Sequence, residues 1–213
     1  MKITTILFDL DGTLLPMDQD VFIKTYFSKL AKKLTAYGYE PESLIKNVWN
    51  GTKAMVMNSG KTTNEDVFWS VFREIYGEPV MQHIPVFEDF YRIEFQEAKT
   101  TCGYNPLATE TIEYIKSLGF RVALATNPVF PAIATQSRIK WAGLKPQDFE
   151  FYTTYENSSY CKPNPNYYLE VTKRLDVTPE ECLMVGNDVN DDMVAKNLGM
   201  KVCTGDTQGQ RIF

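Results

Sequence analysis

Residues 6–15 read ILFDLDGTLL, and the two aspartates in this otherwise apolar run decide how the chain is understood. From Ile3 to Phe8 the residues are β-branched or apolar, as a central strand of a parallel sheet requires. The run ends in Asp9-Leu10-Asp11-Gly12, with Gly12 supplying a turn. A buried carboxylate without a partner is strongly destabilising or takes up a proton. Asp9 and Asp11 therefore call for compensating charge.

Beyond this strand the period changes. Val21, Phe22, Tyr26, Phe27, Leu30 and Leu34 recur at three- and four-residue steps, which predicts a helix capped by Asp18 or Asp20 and ended by Gly38. A second helix follows Pro41, a third runs from Asn64 to Gly77, and a fourth carries Val86, Phe87, Phe90, Tyr91 and Phe95. From Asn105 helices and strands alternate. Helices are predicted around Ile112 to Leu118, Ile133 to Trp141, Asn166 to Leu175 and Met193 to Leu198. The strands are Phe120 to Thr126, FEFYT (149–153), Cys182 to Gly186 and KVCT (201–204). This order predicts an α/β fold: a doubly wound parallel sheet built from residues 1–15 and 101–213, interrupted by an inserted α-helical domain over residues 16–100. The tail GDTQGQRIF (205–213) shows no clear element.

A chain of 213 residues can bury a core of this size, and its net charge of -5 with no Lys/Arg cluster leaves no footprint for nucleic acid. The aspartates interrupt the N-terminal apolar run before a signal peptide or membrane span could form. Cys102, Cys161, Cys182 and Cys203 are widely spaced, which predicts reduced thiols in a cytoplasmic protein and no structural zinc. Oligomeric state is not legible.

In an open α/β sheet, ligands collect beyond the carboxyl ends of the strands. Three predicted strands end in polar residues there: Asp9 and Asp11, Thr126 and Asn127, and Asn187 and Asp188. Lys162 precedes Pro163 in a loop before another helix. Carboxylates gathered in one crevice repel each other unless a cation sits among them, and all-oxygen ligation favours Mg²⁺. A phosphate group would complete the charge balance, its oxygens held by Thr126, backbone N–H groups and Lys162.

DLDGT at 9–13, the threonine of LATNP, the lysine of CKPNP and the acidic GNDVNDD at 186–192 resemble, in that order, the four motifs of the haloacid dehalogenase superfamily. The insert after the first motif resembles the subgroup with a helical cap. The resemblance implies a Rossmannoid core and a Mg²⁺-dependent phosphatase acting on a small phosphorylated metabolite through an aspartyl-phosphate. Asp9 would be the nucleophile and a metal ligand. Asp11 would be the general acid and base, its backbone carbonyl on the metal. Thr126, Asn127, Lys162 and Gly12 would bind the phosphoryl group, and Asp188 and Asp192 would complete the metal set, Asp192 orienting waters or Lys162 more than touching the metal directly. An aspartate at position 11 favours phosphoryl transfer over dehalogenation, because only the former needs a proton delivered to an alkoxide. The fourth motif departs from the family pattern, with Asn187 where an aspartate is usual, so Asp191 and Asn187 remain alternatives to Asp192 and Asp188. A phosphomutase shares all four motifs, and a silent phosphate-binding protein would keep the fold.

Plainer roles stand beside these. Thr126 can cap a helix near Pro128, and Asp191 and Asp192 can complement a helix dipole. His83 reads as a loop residue, and the stripes Phe68/Phe72 and Phe87/Tyr91 as core. Gly51 and Lys53 could belong to a substrate-reading segment of the insert.

Overall fold

The computed structural model describes residues 2–204, so the 205–213 tail lies outside the described residues. Strands β1 (Thr5–Phe8), β2 (Arg121–Leu124), β3 (Cys182–Gly186) and β4 (Lys201–Thr204) form a parallel sheet in the order β2-β1-β3-β4. The most apolar strands occupy the middle, and β4, with Lys201 and Thr204 exposed, forms an edge. Thr5 stands opposite Arg121 on one side and Cys182 on the other. The carboxyl ends of β1, β2 and β3 therefore finish level, which is the doubly wound arrangement the alternation predicts.

Seven α-helices surround the sheet among the described residues: α1 (Gln19–Thr35), α2 (Pro41–Val56), α3 (Asn64–Tyr76), α4 (Ile84–Arg92), α5 (Pro106–Ser117), α6 (Ala132–Trp141) and α7 (Pro165–Leu175). Their ends follow local chemistry. Asp18 accepts a hydrogen bond from the Val21 N–H at 3.1 Å to cap α1, and Thr63 and Asp66 form a reciprocal capping box at the start of α3. Side chains alternate across the sheet: Ile6, Phe8 and Val185 join a core with the helices inserted after β1, whereas Leu7, Ala123 and Met184 pack with Tyr167, Tyr168 and Val171 of α7.

Three expectations shift. The fourth predicted helix breaks at Ile93, so Phe95 lies in a following 3₁₀ segment, Glu94–Thr101. Met193–Leu198 is likewise 3₁₀, a short run closed by Gly199 in the left-handed region. FEFYT runs beside β2, with the Glu150 N–H donating to Val122 O at 2.9 Å, the Leu124 N–H to Phe151 O at 2.9 Å and the Thr153 N–H to Leu124 O at 3.1 Å, but it forms a single bridge, Leu124 to Tyr152, and no extended strand. Among the described helices none is long and apolar enough to cross a membrane.

The helical insert joins the sheet through two adjacent crossings. Met17 bridges Cys102, and the Gly103 N–H donates to the Pro16 carbonyl at 2.7 Å. A second attachment is made by the buried Asn64 at the start of α3. Its backbone N–H donates to Ser158 O at 2.8 Å and its side-chain amide to Pro128 O at 3.2 Å, while its Oδ1 accepts from Asn58.

Candidate active site

The β1 ladder continues one residue past the strand, with the Asp9 N–H donating to Val185 O at 2.9 Å, and this holds Asp9 at the carboxyl edge of the sheet. Asp9 is 7% exposed. Gly12 then takes a φ of +85°, and a Cβ there would stand 2.5 Å from the Asn187 amide. The turn and the close approach of the fourth-motif loop both depend on glycine. Gly12 itself does not line the cavity described below. Thr13 Oγ1 donates to Asn187 Oδ1 at 3.1 Å and ties the first and fourth motifs together.

Lys162, 2% exposed, places its ammonium 2.8 Å from Asp9 Oδ1 and 2.6 Å from Asp192 Oδ1. Burial opposes its charge, but Asp9 and the surrounding groups outweigh that effect and hold its pKa well above the ordinary lysine value. Asp192 Oδ2 accepts from the Asp188 N–H at 3.0 Å, and a Cβ on Gly186 would collide with it at 2.1 Å. Asp192, counted above among the metal ligands, thus has both oxygens committed inside the protein and positions Lys162. Asp188 is exposed, and its Oδ1 accepts from the Asn190 and Asp191 N–H groups at 2.7 and 2.9 Å.

Thr126 lies two residues past the end of β2, its carbonyl held by Thr153 Oγ1 at 2.6 Å and the Tyr167 hydroxyl at 2.9 Å. Asn127 follows, donating to Asp191 at 3.4 Å. One cavity of about 280 Å³ brings together Asp9, Asp11, Thr126, Asn127, Lys162, Asn187, Asp188, Asp191 and Asp192. Residues separated by more than 170 positions in the chain therefore share one space. Lys53 and His83 do not line it, and Gly51 packs against Phe68. Phe68, Phe87 and Tyr91 do line it, so these stripes serve both core and cavity.

Arg138 was not foreseen. Its guanidinium is 1% exposed, lies 4.5 Å from the Phe130 ring and pairs with Asp11 Oδ2. The available signal was position: Arg138 lies one turn after Ala134 and one before Trp141, on the buried face of α6. A charge on an apolar face of a helix needs a partner, and Asp11 is that partner.

Electrostatics at the site favour an added cation. Burial raises the pKa of Asp9 to about 6, Lys162 pulling against this while Asp192 and Asp11 add to it. Burial also raises Asp11, against the pull of Arg138 and Lys162, and burial followed by Asp188 raises Asp191. Asp11 Oδ1 and Asn127 Oδ1 are buried without hydrogen-bond partners. Among the described residues no three His, Cys, Asp or Glu side chains are gathered closely enough to hold a metal by themselves. Magnesium does not require such a cage, since it keeps several waters and takes one or two carboxylates plus substrate phosphate. Asp9 and Asp11, with an orphaned carboxylate oxygen between the strand ends, fit that demand.

The family model for haloacid dehalogenase-like hydrolases matches residues 3–199. The chain is 30% identical over 199 residues to the bifunctional riboflavin kinase/FMN phosphatase of Arabidopsis thaliana, covering 92% of this chain and 47% of that protein. It is 27% identical over 197 residues to the phosphoglycolate phosphatase of Aquifex aeolicus, covering 92% of this chain and 81% of that one. In structure it is similar to a HAD family enzyme of Bacteroides thetaiotaomicron solved with magnesium and inorganic phosphate, with a TM-score of 0.60, 19% identity and coverage of 98% and 96% of the two chains. The motifs, the sheet that aligns them and the family match agree, and the chain belongs to the haloacid dehalogenase-like hydrolases.

Proposed function

We propose that the protein is a cytoplasmic, Mg²⁺-dependent phosphatase that hydrolyses a small phosphorylated metabolite through an aspartyl-phosphate on Asp9, with residues 16–100 acting as a cap over the site. The observation that carries the reading is the meeting of Asp9, Asp11, Thr126 and Lys162 in one cavity. The phosphatase names of the relatives support it, and because those names differ in substrate they leave the leaving group open.

Asp9 Oδ1 is held by Lys162, so Oδ2 is the oxygen that attacks phosphorus. The P–O bond to the leaving group breaks, and Asp11 delivers a proton to the departing alkoxide. Asp11 then takes a proton from water, which attacks the aspartyl-phosphate, frees inorganic phosphate and restores Asp9. Thr126 and Lys162 bind the phosphoryl oxygens, and Arg138 fixes the orientation of the Asp11 carboxylate. Asp9 and Asp11, with Asn187 or Asp188 on the adjoining loop, would hold Mg²⁺, which when bound supplies positive charge against the phosphate and the clustered aspartates. The test is phosphate release from a panel of phosphomonoesters with and without Mg²⁺. Turnover is expected only with metal and is expected to fall at least 10³-fold in Asp9→Asn, the loss that removal of a covalent nucleophile produces. Near-normal turnover by that variant would remove Asp9 from its role.

A further inference from the structure

The cavity is chemically divided. At the sheet edge it is lined by carboxylates, amides and the two cations Lys162 and Arg138. Toward α1 to α4 the lining turns aromatic, with Phe22, Phe27, Trp49, Phe68, Tyr91 and Phe130 among its residues. Both cations are already paired, Lys162 with Asp9 and Asp192, and Arg138 with Asp11. The only charged residue that the inserted helices contribute to the lining is Glu88. A leaving group bearing its own carboxylate or second phosphate would thus enter a space where the described residues of the inserted helices supply no free cation and one opposing carboxylate. Burying such a charge without a partner is strongly unfavourable.

An aromatic ring meets the opposite situation. Phe27 and Trp49 stand 5.4 Å apart between ring centroids at the rim, and Phe68 and Trp69 stand 5.3 Å apart at 90°. Such walls receive a ring in edge or offset contact. Trp69, 5% exposed, adds its indole to the same wall. The volume of about 280 Å³ is nearly twice the ~150 Å³ of an apolar cavity that houses benzene, leaving room for one ring and a phosphoryl group.

We infer that the substrate is the phosphate ester of an uncharged aromatic alcohol. This deepens the phosphatase reading and rests on it. The phosphoryl group occupies the Asp9 end, and the ring fills the space between α1, α2, α3 and Phe130. Selection against anionic leaving groups comes from the missing cation and from Glu88.

The test compares kcat/KM of the full-length protein with Mg²⁺ for 2-(4-methoxyphenyl)ethyl phosphate, ethyl phosphate and phosphoglycolate, all esters of alkyl alcohols. The aromatic ester is expected to exceed each of the others by at least about tenfold. Equal or better use of ethyl phosphate or phosphoglycolate overturns the inference and leaves the phosphatase reading standing. Trp49→Lys, at a position 48% exposed and tolerant of change, is expected to lower the preference for the aromatic ester over phosphoglycolate about tenfold. An unchanged ratio counts against the proposed placement. Binding of 2-(4-methoxyphenyl)ethanol, followed by tryptophan fluorescence, separates the two readings. Saturable binding without turnover of any ester supports the aromatic cavity and overturns the phosphatase reading, whereas no binding overturns the aromatic cavity.

Discussion

Asp9 carries the strongest tension between stability and chemistry. In the metal-free protein its carboxyl has a pKa of about 6, above the ordinary 3.8, chiefly through burial. The folded state therefore holds the proton more tightly than the unfolded chain. Ionising Asp9 costs the fold nothing below about pH 4, an increasing amount between about pH 4 and 6, and a constant amount on the order of 3 kcal/mol above that. In EDTA, the stability of Asp9→Asn relative to the native protein is expected to rise between pH 4.5 and pH 7.5, because only the native protein bears the cost of ionising Asp9. Denaturant midpoints of both proteins at the two pH values decide this, and a stability difference that does not move with pH contradicts it. Asp9 and Asp11 were legible in the sequence because carboxylates inside an apolar run break its pattern. Arg138 was not, because an arginine on a helix looks solvated until the packing of α6 places it against Asp11 and Phe130.

At the scale of elements, most boundaries were legible because caps and breakers act over a few residues. Asp18, Pro41, Thr63 with Asp66, and Gly77 all mark helix ends where local hydrogen bonding requires them. The misses are segments whose form depends on their neighbours: the break at Ile93, and FEFYT, which keeps backbone hydrogen bonds to β2 but forms only one bridge. The start of α3 matters most for joining insert to core, since Asn64 bonds to Ser158, Pro128 and Asn58 while fully buried. Asn64→Ala would leave a buried carbonyl and a buried amide without their partner. It is expected to destabilise the protein by about 1–3 kcal/mol, read from chemical denaturation, and to speed amide exchange at the start of α3. Unchanged exchange there would show that this attachment does not hold the insert.

For the whole molecule, the site joins segments that fold at a cost. Asp9, Asp11 and Asp191 all have raised pKa values, and the loop at 186–192 is held to the first motif through Thr13 and Asn187. A ligand that neutralises this cluster binds the folded state alone. Mg²⁺ is expected to raise the thermal midpoint, and Mg²⁺ with inorganic phosphate to raise it further. At about one hundred times Kd the gain is about 2.7 kcal/mol, or roughly 5–10 °C for a chain of this length. Differential scanning fluorimetry reads the shift, and an unmoved midpoint in saturating Mg²⁺ and phosphate would argue against the proposed site.

The amino-acid sequence alone determined the alternation of strands and helices, the insert after the first strand and the motif residues, because periodicity, caps and misplaced charges are local signals. It also placed Asp9, Asp11, Thr126 and Lys162 at strand ends and loops from which they could meet. Only the tertiary structure decided that Asp192 commits its two oxygens to Lys162 and the Asp188 N–H, that Arg138 serves Asp11 and that the insert lines the cavity with rings in place of cations. Those outcomes depend on the register between distant strands and the rotation of packed helices, which long-range packing sets and no short window of residues contains.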